Sequence, residues 1–248
     1  MSIALRYMRE WRRRGRGATF MHGYRSRRVT RVFDNRVDAG RALARALVSF
    51  SGAGDAIVLG LPRGGVPVAA EIARALGLPL DVLVVRKLGL PWQPELAIGA
   101  IASGGAIVLN EDVLAHAAGR EELVDQVKYR ELAELRRREL EFRGARPPLA
   151  VAGRTAIVVD DGLATGATME AAVRALGSLG AARVVAAVPV ASAEARARIA
   201  ALADEVVCLE TPRYFSAVGQ WYRDFEQTSD SEVSRLLAAS REDAAGQR

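Results

Sequence analysis

Short apolar runs alternate with helical patterns along most of this chain. Five runs have the length of buried strands: "DAIVLG", "LDVLVVRK", "TAIVVDD", "ARVVAAVPV" and "EVVCLE". The second is continuous in apolar residues, so we expect it to be covered on both faces. Segments with helical spacing separate the runs: "VAAEIARALG", "MEAAVRALGSLG" and "EARARIAALA". This alternation predicts an α/β fold with an open, mostly parallel sheet and helices on both faces.

Two segments interrupt the alternation. "LAIGAIASGGAIVLN" predicts a hairpin of two short strands that turn at Ser103-Gly104-Gly105. The charged segment Glu111 to Arg143 has apolar residues at helical spacing and oppositely charged pairs four residues apart, which predicts a long, mostly solvated helix. Near the carboxyl terminus, Ser229 and Glu232 have the spacing of a capping box for a last short helix.

The positive charge is concentrated at the amino terminus. The formal net charge is +6, and the first twenty residues supply +5 of it (six Arg minus one Glu). We therefore divide the chain into a basic tail, residues 1–28, and one domain, residues 29–248. Contact with nucleic acid or an anionic surface is one interpretation of the tail, and an Arg-rich transit peptide is another. We favour a disordered extension, since Met21 could equally open the chain, and the domain itself offers no basic face for nucleic acid.

The composition excludes several kinds of protein. Cys208 is the single cysteine, so no internal disulfide can form, and a reducing cytoplasm is the simplest location. His22 and His116 are too far apart in sequence to have metal-ligand spacing. No apolar run reaches membrane-spanning length, and no signal-peptide core is present. The sequence predicts a cytoplasmic protein without membrane attachment.

The stretch "IVVDDGLATGATM" has the most specific chemistry in the chain. Its small residues lead directly into a helix, where free backbone N–H groups can bind a phosphate, and its threonine hydroxyls add donors. The two carboxylates, Asp160 and Asp161, would repel that phosphate but suit the hydroxyls of a sugar. A ribose phosphate satisfies both halves, whereas the alternative is an ordinary turn capped by Thr. The ligand interpretation requires an open helix start and carboxylates that are not both locked in internal salt bridges.

Two other loops that follow strands carry basic residues. "LGLPRGGVP" exposes backbone at Gly64 and Gly65 beside Arg63, which suits a second anionic group, although such a sequence can be only a turn. The run "VVRKLG" ends a strand at Arg86 and Lys87, which either face the same ligand or simply reach solvent. Ligands of open parallel sheets bind beyond the carboxyl ends of the strands, so we expect these loops to meet there.

Together these motifs resemble the type I phosphoribosyltransferases, from Phe33 to about Thr211. "VVDDGLATGATM" is similar to their signature for 5-phosphoribosyl-1-diphosphate (PRPP), "PRGG" to their pyrophosphate loop, and "VRK" to the end of their second strand. "RKLGLPWQPELAIGAIA" also resembles a bacterial branch of unassigned acceptor. The resemblance implies that Asp160 and Asp161 bind the ribose hydroxyls. It assigns the 5-phosphate to the loop residues Ala164, Thr165, Gly166, Ala167 and Thr168.

The resemblance also implies how pyrophosphate leaves. Arg63, Gly64 and Gly65 would bind it beside a strained peptide, while Arg63, Arg86 and Lys87 would serve as the catalytic cations. Mg²⁺ is the implied cofactor, held mainly by PRPP and water and not by a protein cage. The hairpin region Leu88 to Asn110 would close as a flap and exclude water. Members of the family are often dimers, which suggests a homodimer.

The acceptor is the least specified part of the resemblance. The 6-oxopurine members carry an acid where this chain has Ala164, so a general base in the loop is absent and the sequence disfavours guanine and hypoxanthine. Aromatic residues follow the last strand where the family often binds its base, and our candidates would either stack on an acceptor or, as we favour, pack the loop: Tyr214, Phe215, Trp221 and Tyr222.

The function that this resemblance implies is Mg²⁺-dependent transfer of 5-phosphoribosyl from PRPP to a nitrogenous base or amine, with release of pyrophosphate, as in nucleotide salvage. The alternative is a non-catalytic PRPP- or nucleotide-binding regulator. Nucleic-acid binding rests on the basic tail alone.

Overall fold

The computed structural model describes residues 32–90, 93–109, 120–144, 146–147 and 149–246. The predicted tail over residues 1–28, together with His22 and His116, lies outside this part of the chain. In chain order, the elements are α1 (Arg36–Ala46), β1 (Ala56–Gly60), α2 (Gly65–Leu76), β2 (Leu80–Val82), β3 (Val85–Leu90), β4 (Gln93–Ala102), β5 (Ala106–Leu109), α3 (Arg120–Arg143), β6 (Thr155–Val159), α4 (Ala167–Ser178), β7 (Arg183–Val190), α5 (Ala193–Ala200), β8 (Glu205–Glu210) and α6 (Asp230–Gly246).

The main sheet has five strands in the order β2-β1-β6-β7-β8. All of its strand pairs are parallel. The central pair joins β1 to β6 in a register that places Gly60 opposite Val159, so these two strands end side by side. The predicted open parallel sheet is confirmed, and the loops after β1 and β6 are neighbours at its carboxyl edge.

Helices cover both faces of this sheet, as predicted. Alternate residues of β6 point to opposite sides: Ile157 and Val159 belong to one apolar cluster, and Ala156 and Val158 to the other. Helices α1, α2, α3 and α6 pack on the first face, whereas α4 and α5 pack on the second. The strands are continuous in apolar residues because both of their faces are buried.

A second sheet of three antiparallel strands, in the order β3-β4-β5, follows β2. The predicted hairpin is confirmed as β4 and β5, which turn at Ser103–Gly105, where Gly104 has a φ of 84°. One prediction was wrong: "LDVLVVRK" is not a single strand. Its first part, β2, belongs to the parallel sheet, and its second part, β3, belongs to the antiparallel sheet.

The change of sheet occurs at two buried residues between β2 and β3. The Leu83 amide donates to the Gly60 carbonyl at 3.1 Å, which extends the parallel ladder by one step. The next residue, Val84, instead exchanges hydrogen bonds with Ser103: its amide donates to Oγ at 3.0 Å, and its carbonyl accepts from the Ser103 amide at 2.9 Å. Arg86 and Lys87 therefore stand on the smaller sheet.

The two long helices differ in part from their predictions. Helix α3 packs against β3 and β4 and buries Val127, Leu135 and Phe142, so it is less solvated than its charges indicate. The part of the prediction over 111–119 lies outside the described residues. The cap of α6 is confirmed, because the Glu232 amide donates to Ser229 Oγ at 3.1 Å, but α6 extends to Gly246 and is not short. Among the described helices, none is both long and apolar enough to cross a membrane.

Candidate active site

The loops after β1 and β6 meet at the carboxyl edge of the sheet. The Leu61 amide donates to the Val159 carbonyl at 2.9 Å, which carries the pairing of the two strands into the loops. Beyond that point the backbones are so close that only glycine fits. A Cβ on Gly64 would lie well inside 3.0 Å of the Asp161 carboxylate, and a Cβ on Gly65 would do the same to the Val159 carbonyl. The structure thus brings the predicted pyrophosphate loop against the predicted ribose carboxylates.

The two carboxylates differ in their partners. Asp160 accepts a hydrogen bond at Oδ1 from the Asp161 amide, 2.9 Å away. Asp161 accepts at Oδ2 from Nε of Arg36 at 2.9 Å, and a second guanidinium nitrogen lies 2.8 Å from the same oxygen. One of the two carboxylates is therefore held by an internal salt bridge on one oxygen, while Asp160 is hydrogen-bonded to backbone. The ligand interpretation requires that at most one of the two carboxylates is held by an internal salt bridge, and this arrangement is compatible with it.

Burial makes the ionised form of this pair costly. The pKa of Asp160 is raised well above its ordinary value, first by desolvation and then by the charge of Asp161. The pKa of Asp161 is also raised by desolvation, against the opposing effect of Arg36. Two adjacent acids with unfavourable ionisation are typical of a site that a ligand completes.

This ionisation predicts a pH dependence of stability in the absence of ligand. The pKa of Asp160 is higher in the native state than in the unfolded state. At pH values between these two pKa values the native state therefore binds more protons, and the free energy of unfolding falls as the pH rises through that interval. Asp160→Asn keeps the acceptor oxygen and removes the charge. We expect the variant to melt a few degrees above the wild type at pH 8 and to match it at pH 4 in thermal unfolding without ligand. A lower melting temperature for the variant at pH 8 would contradict the direction of this shift.

The start of α4 is open, as the phosphate interpretation requires. Gly166 caps the helix with a φ of 78°, and Ala164, Thr165 and Thr168 are exposed. The loop is fixed from behind by α5: Ser192 Oγ donates to the Ala164 carbonyl at 2.8 Å, and Arg198 donates to the Thr165 carbonyl at 3.3 Å. These two contacts use carbonyls of the loop, and the Ala167 amide at the start of the helix donates to Thr165 Oγ1 at 3.4 Å. The positive end of the helix dipole lies at this exposed loop.

The pyrophosphate loop connects β1 to α2. The Pro62–Arg63 peptide bond is cis, and Gly64 precedes α2 in a helical conformation. The Arg63 side chain is one-third exposed, and its guanidinium lies 3.8 Å from a carboxylate oxygen of Asp230, at the start of α6. The Arg63 side chain is therefore only loosely paired and partly exposed.

The two basic residues of β3 point to opposite faces of their strand. Arg86 binds Glu131 of α3 through two nitrogens at 3.0 and 2.7 Å, and Glu131 is 7% exposed. Lys87 is exposed on the other face. The sequence did not identify Glu131, whose position 45 residues later in a charged helix gives no local signal. The role of leaving-group cation stays a prediction for both residues; the Arg86 side chain is partly exposed and bound to Glu131, whereas Lys87 is exposed.

The four aromatic residues of the carboxyl-terminal loop that the sequence singled out separate into two groups. Tyr222 is buried, packs against Phe33 and Phe225 with ring centroids 5.7 and 4.9 Å away, and donates its hydroxyl to the Asp161 carbonyl at 2.6 Å. Its burial raises the pKa of that hydroxyl, which stays protonated as a donor. Tyr222 packs the loop onto the body, which is the role that we favoured for the group.

The other three aromatic residues lie at or next to an open cleft of about 390 Å³. Tyr214 is 79% exposed and lines this cleft with Phe215, and Trp221 stacks on Phe215 with centroids 6.3 Å apart. The cleft also borders the start of α5, whose cap Ser192 holds the phosphate loop. Exposed aromatic surface near the start of α5 is suited to a planar ligand.

Comparison with known proteins identifies the family. A model of the phosphoribosyl transferase domain matches residues 29–225, most of the chain. This protein belongs to the phosphoribosyltransferase family. A provisionally named phosphoribosyl transferase of Mycobacterium tuberculosis, Rv0571c in strain H37Rv, is 53% identical to it over 215 residues, which are 87% of this chain and 48% of that protein. This phosphoribosyltransferase domain therefore spans about half the length of that relative.

The solved structures include one with high similarity. TT1426 from Thermus thermophilus has a TM-score of 0.76 and 46% sequence identity, and the match covers 84% of this chain and 98% of that one. The fold assigned to this phosphoribosyltransferase from its strand order is therefore found over nearly the whole length of an experimental structure.

The site of this phosphoribosyltransferase offers oxygen donors and cations for a Mg²⁺–diphosphate. In the described ranges, no group of three or more His, Cys, Asp or Glu side chains is arranged to hold a metal ion. The carboxylates of Asp160 and Asp161 are oxygen acceptors that suit hydrogen bonds from the water that Mg²⁺ retains. The chemistry of these two residues thus fits a hydrated Mg²⁺.

Proposed function

We propose that this protein transfers the 5-phosphoribosyl group from PRPP to a nitrogenous base or amine and releases pyrophosphate. The observation that carries the proposal is the contact of Gly64 with the Asp161 carboxylate beside the open start of α4. The pyrophosphate loop follows β1, and the carboxylate pair and the phosphate loop follow the adjacent strand β6. These three parts correspond to the diphosphate, the ribose and the 5-phosphate of PRPP.

Each part of PRPP has residues of suitable chemistry. The 5-phosphate accepts hydrogen bonds from the backbone N–H groups and hydroxyls of residues 164–168. The ribose hydroxyls donate to Asp160 and Asp161, where charge-assisted hydrogen bonds are strongest. The diphosphate lies along Arg63, Gly64 and Gly65 and faces Lys87. Mg²⁺, when bound with the diphosphate, neutralises charge on the leaving group.

The reaction exchanges one bond at the ribose C1. The bond from C1 to the diphosphate oxygen breaks with both electrons leaving on pyrophosphate, and a lone pair of the acceptor nitrogen forms the new C1–N bond. Positive charge develops on the ribose between the two events, so cations on the leaving group and exclusion of water favour the step. Arg63 and Lys87 supply this charge from the protein, and a proton on the acceptor nitrogen passes to solvent or to the departing pyrophosphate.

The cleft beside Tyr214 and Phe215 is our candidate for the acceptor site. A planar base can stack on an aromatic ring there, next to the loop that binds the 5-phosphate. Ala164 provides no general base in that loop, so acceptors that need one, such as guanine and hypoxanthine, are disfavoured.

A second candidate function is a PRPP-binding regulator without catalysis. One observation favours it: the guanidinium of Arg86, one of the three proposed leaving-group cations, is bound to Glu131, a carboxylate that it shares with Arg130. A regulator can lose such a cation without losing its ligand.

An assay of pyrophosphate release tests the proposal against this alternative. The protein is incubated with PRPP and Mg²⁺ in the presence of adenine, uracil, guanine, hypoxanthine or small primary amines, and PRPP binding is measured in parallel. We expect release to be accelerated by at least one acceptor, with guanine and hypoxanthine poor. PRPP binding without release for any acceptor would instead support the regulator, and an absence of PRPP binding would contradict both.

A further inference from the structure

Arg36 joins four segments of the chain at the proposed sugar site. It is the first residue of α1, and its side chain is 12% exposed. Its Nε and one terminal nitrogen contact Oδ2 of Asp161, and the other terminal nitrogen donates to the Glu226 carbonyl at 2.6 Å. The position of a Cβ on Gly64 would be 3.3 Å from Nε, so the guanidinium also borders the pyrophosphate loop.

The guanidinium is fixed on its flat side as well as at its edge. The Phe225 ring lies beneath it, with the guanidinium carbon 4.0 Å from the ring centroid. A planar cation that is stacked on a ring and bonded at three nitrogens has little rotational freedom. Arg36 therefore presents a fixed charge to Asp161, in contrast to a flexible surface arginine.

We infer that Arg36 is a positioning residue for PRPP binding. By holding Oδ2 of Asp161, the guanidinium directs Oδ1 of the same carboxylate to the ribose diol. The inference rests on the proposed function and deepens it, because it assigns a role to a residue outside the phosphoribosyltransferase signature. Both contacts from Arg36 to the carboxylate go to Oδ2, which makes Oδ1 the oxygen that remains for a sugar hydroxyl.

The charge of Arg36 has a second consequence, for the pH range of binding. The groups that face Asp161 are Arg36 from α1, Asp160 from its own loop, and the Tyr222 hydroxyl from the carboxyl-terminal loop, while the pyrophosphate loop presents the backbone of Gly64. The Tyr222 hydroxyl binds the Asp161 carbonyl and not the carboxylate. Arg36 is thus the cation that favours the ionised pair against burial and mutual repulsion. Without it, both carboxylates would hold their protons to higher pH and accept the sugar hydroxyls less well.

The test is a double-mutant cycle on PRPP affinity. Calorimetric titration with PRPP and Mg²⁺ at pH values from about 6 to 9 is made for the wild type, Arg36→Gln, Asp161→Asn and the double variant. Arg41→Gln is the matched control, because Arg41 is on the same helix, also pairs with a carboxylate, and has a 61% exposed side chain. Arg36→Lys keeps the charge and tests rescue.

We expect Arg36→Gln to weaken PRPP binding about tenfold or more at pH 7. The acidic limb of the affinity profile, where affinity falls as the carboxylates take up protons, should move to higher pH, so that affinity recovers at high pH. Arg36→Lys should regain most of the affinity, and Arg41→Gln should match the wild type. In the Asp161→Asn background, Arg36→Gln should have a clearly smaller effect than in the wild type, because the residue that the guanidinium contacts is already neutral and only its effect on Asp160 remains.

Two outcomes would overturn the inference while the proposed function stands. One is a wild-type affinity and pH profile for Arg36→Gln, and the other is an equal loss in the Asp161→Asn background, which would indicate a purely structural role at Phe225. If Arg36→Gln does not fold, Arg36→Lys decides the inference. Its PRPP affinity should then decrease at acidic pH over the same range as that of the wild type. A wild-type protein that does not bind PRPP would refute the proposed function itself.

Discussion

Asp161→Asn is expected to weaken PRPP binding by about 10- to 100-fold while the protein still folds. The variant loses one charge-assisted hydrogen bond to the sugar, which contributes roughly 1.5–3 kcal/mol. The amide oxygen can still accept from Arg36, so the contact between α1 and the signature loop is retained. Calorimetric titration with PRPP and Mg²⁺ measures the loss, and thermal unfolding checks the fold.

The control for Asp161→Asn is Glu205→Gln. Glu205 begins β8 at the opposite edge of the sheet, where it pairs with Arg183 at 2.6 Å. The same change from carboxylate to amide there should leave PRPP affinity unchanged. If Asp161→Asn and Glu205→Gln bind PRPP equally well, the sugar does not lie at the carboxylate pair.

Gly65→Ala is expected to abolish measurable PRPP binding and to lower stability by roughly 1–3 kcal/mol. The new Cβ would meet the Val159 carbonyl well inside 3.0 Å and the Asp160 Cα at 2.9 Å. Both are backbone atoms at the end of β6, which cannot move without distorting the sheet. The start of α2 must therefore move away and carry the pyrophosphate loop with it. Thermal unfolding and PRPP titration measure the two effects.

Two other glycines make this prediction specific. Gly64→Ala meets the Asp161 carboxylate and not backbone, so it should reduce PRPP binding with a smaller loss of stability than Gly65→Ala. At Gly54 a Cβ would meet nothing within 4 Å, so Gly54→Ala should match the wild type in both measurements. Wild-type behaviour of Gly65→Ala would contradict the close approach of the two loops.

The sequence predicted those parts of the site that are contiguous in the chain. The carboxylates, the phosphate loop and the glycines Gly64 and Gly65 each follow an apolar strand and precede a helix, and that pattern places them at one edge of a parallel sheet. Arg36 and Glu131 were missed for the opposite reason. Their partners are 125 and 45 residues away, and each is one charged residue in an ordinary helical pattern.

The break between β2 and β3 was missed because composition does not mark it. Leu83 and Val84 are both apolar and both buried, but they belong to different apolar clusters. A run that is apolar at every position looks the same whether it stays in one sheet or passes to another. The break is determined by Ser103, which forms hydrogen bonds with both the amide and the carbonyl of Val84. No pattern in the sequence links Ser103 to Val84.

The most direct test of the central claim is a crystal structure of the protein with PRPP and Mg²⁺. The account predicts that the 5-phosphate binds the backbone N–H groups at the start of α4. It also predicts that the ribose hydroxyls contact Asp160 and Asp161, and that the diphosphate lies along Arg63–Gly65. PRPP bound with its 5-phosphate away from α4, for instance in the cleft beside Tyr214, would contradict the account.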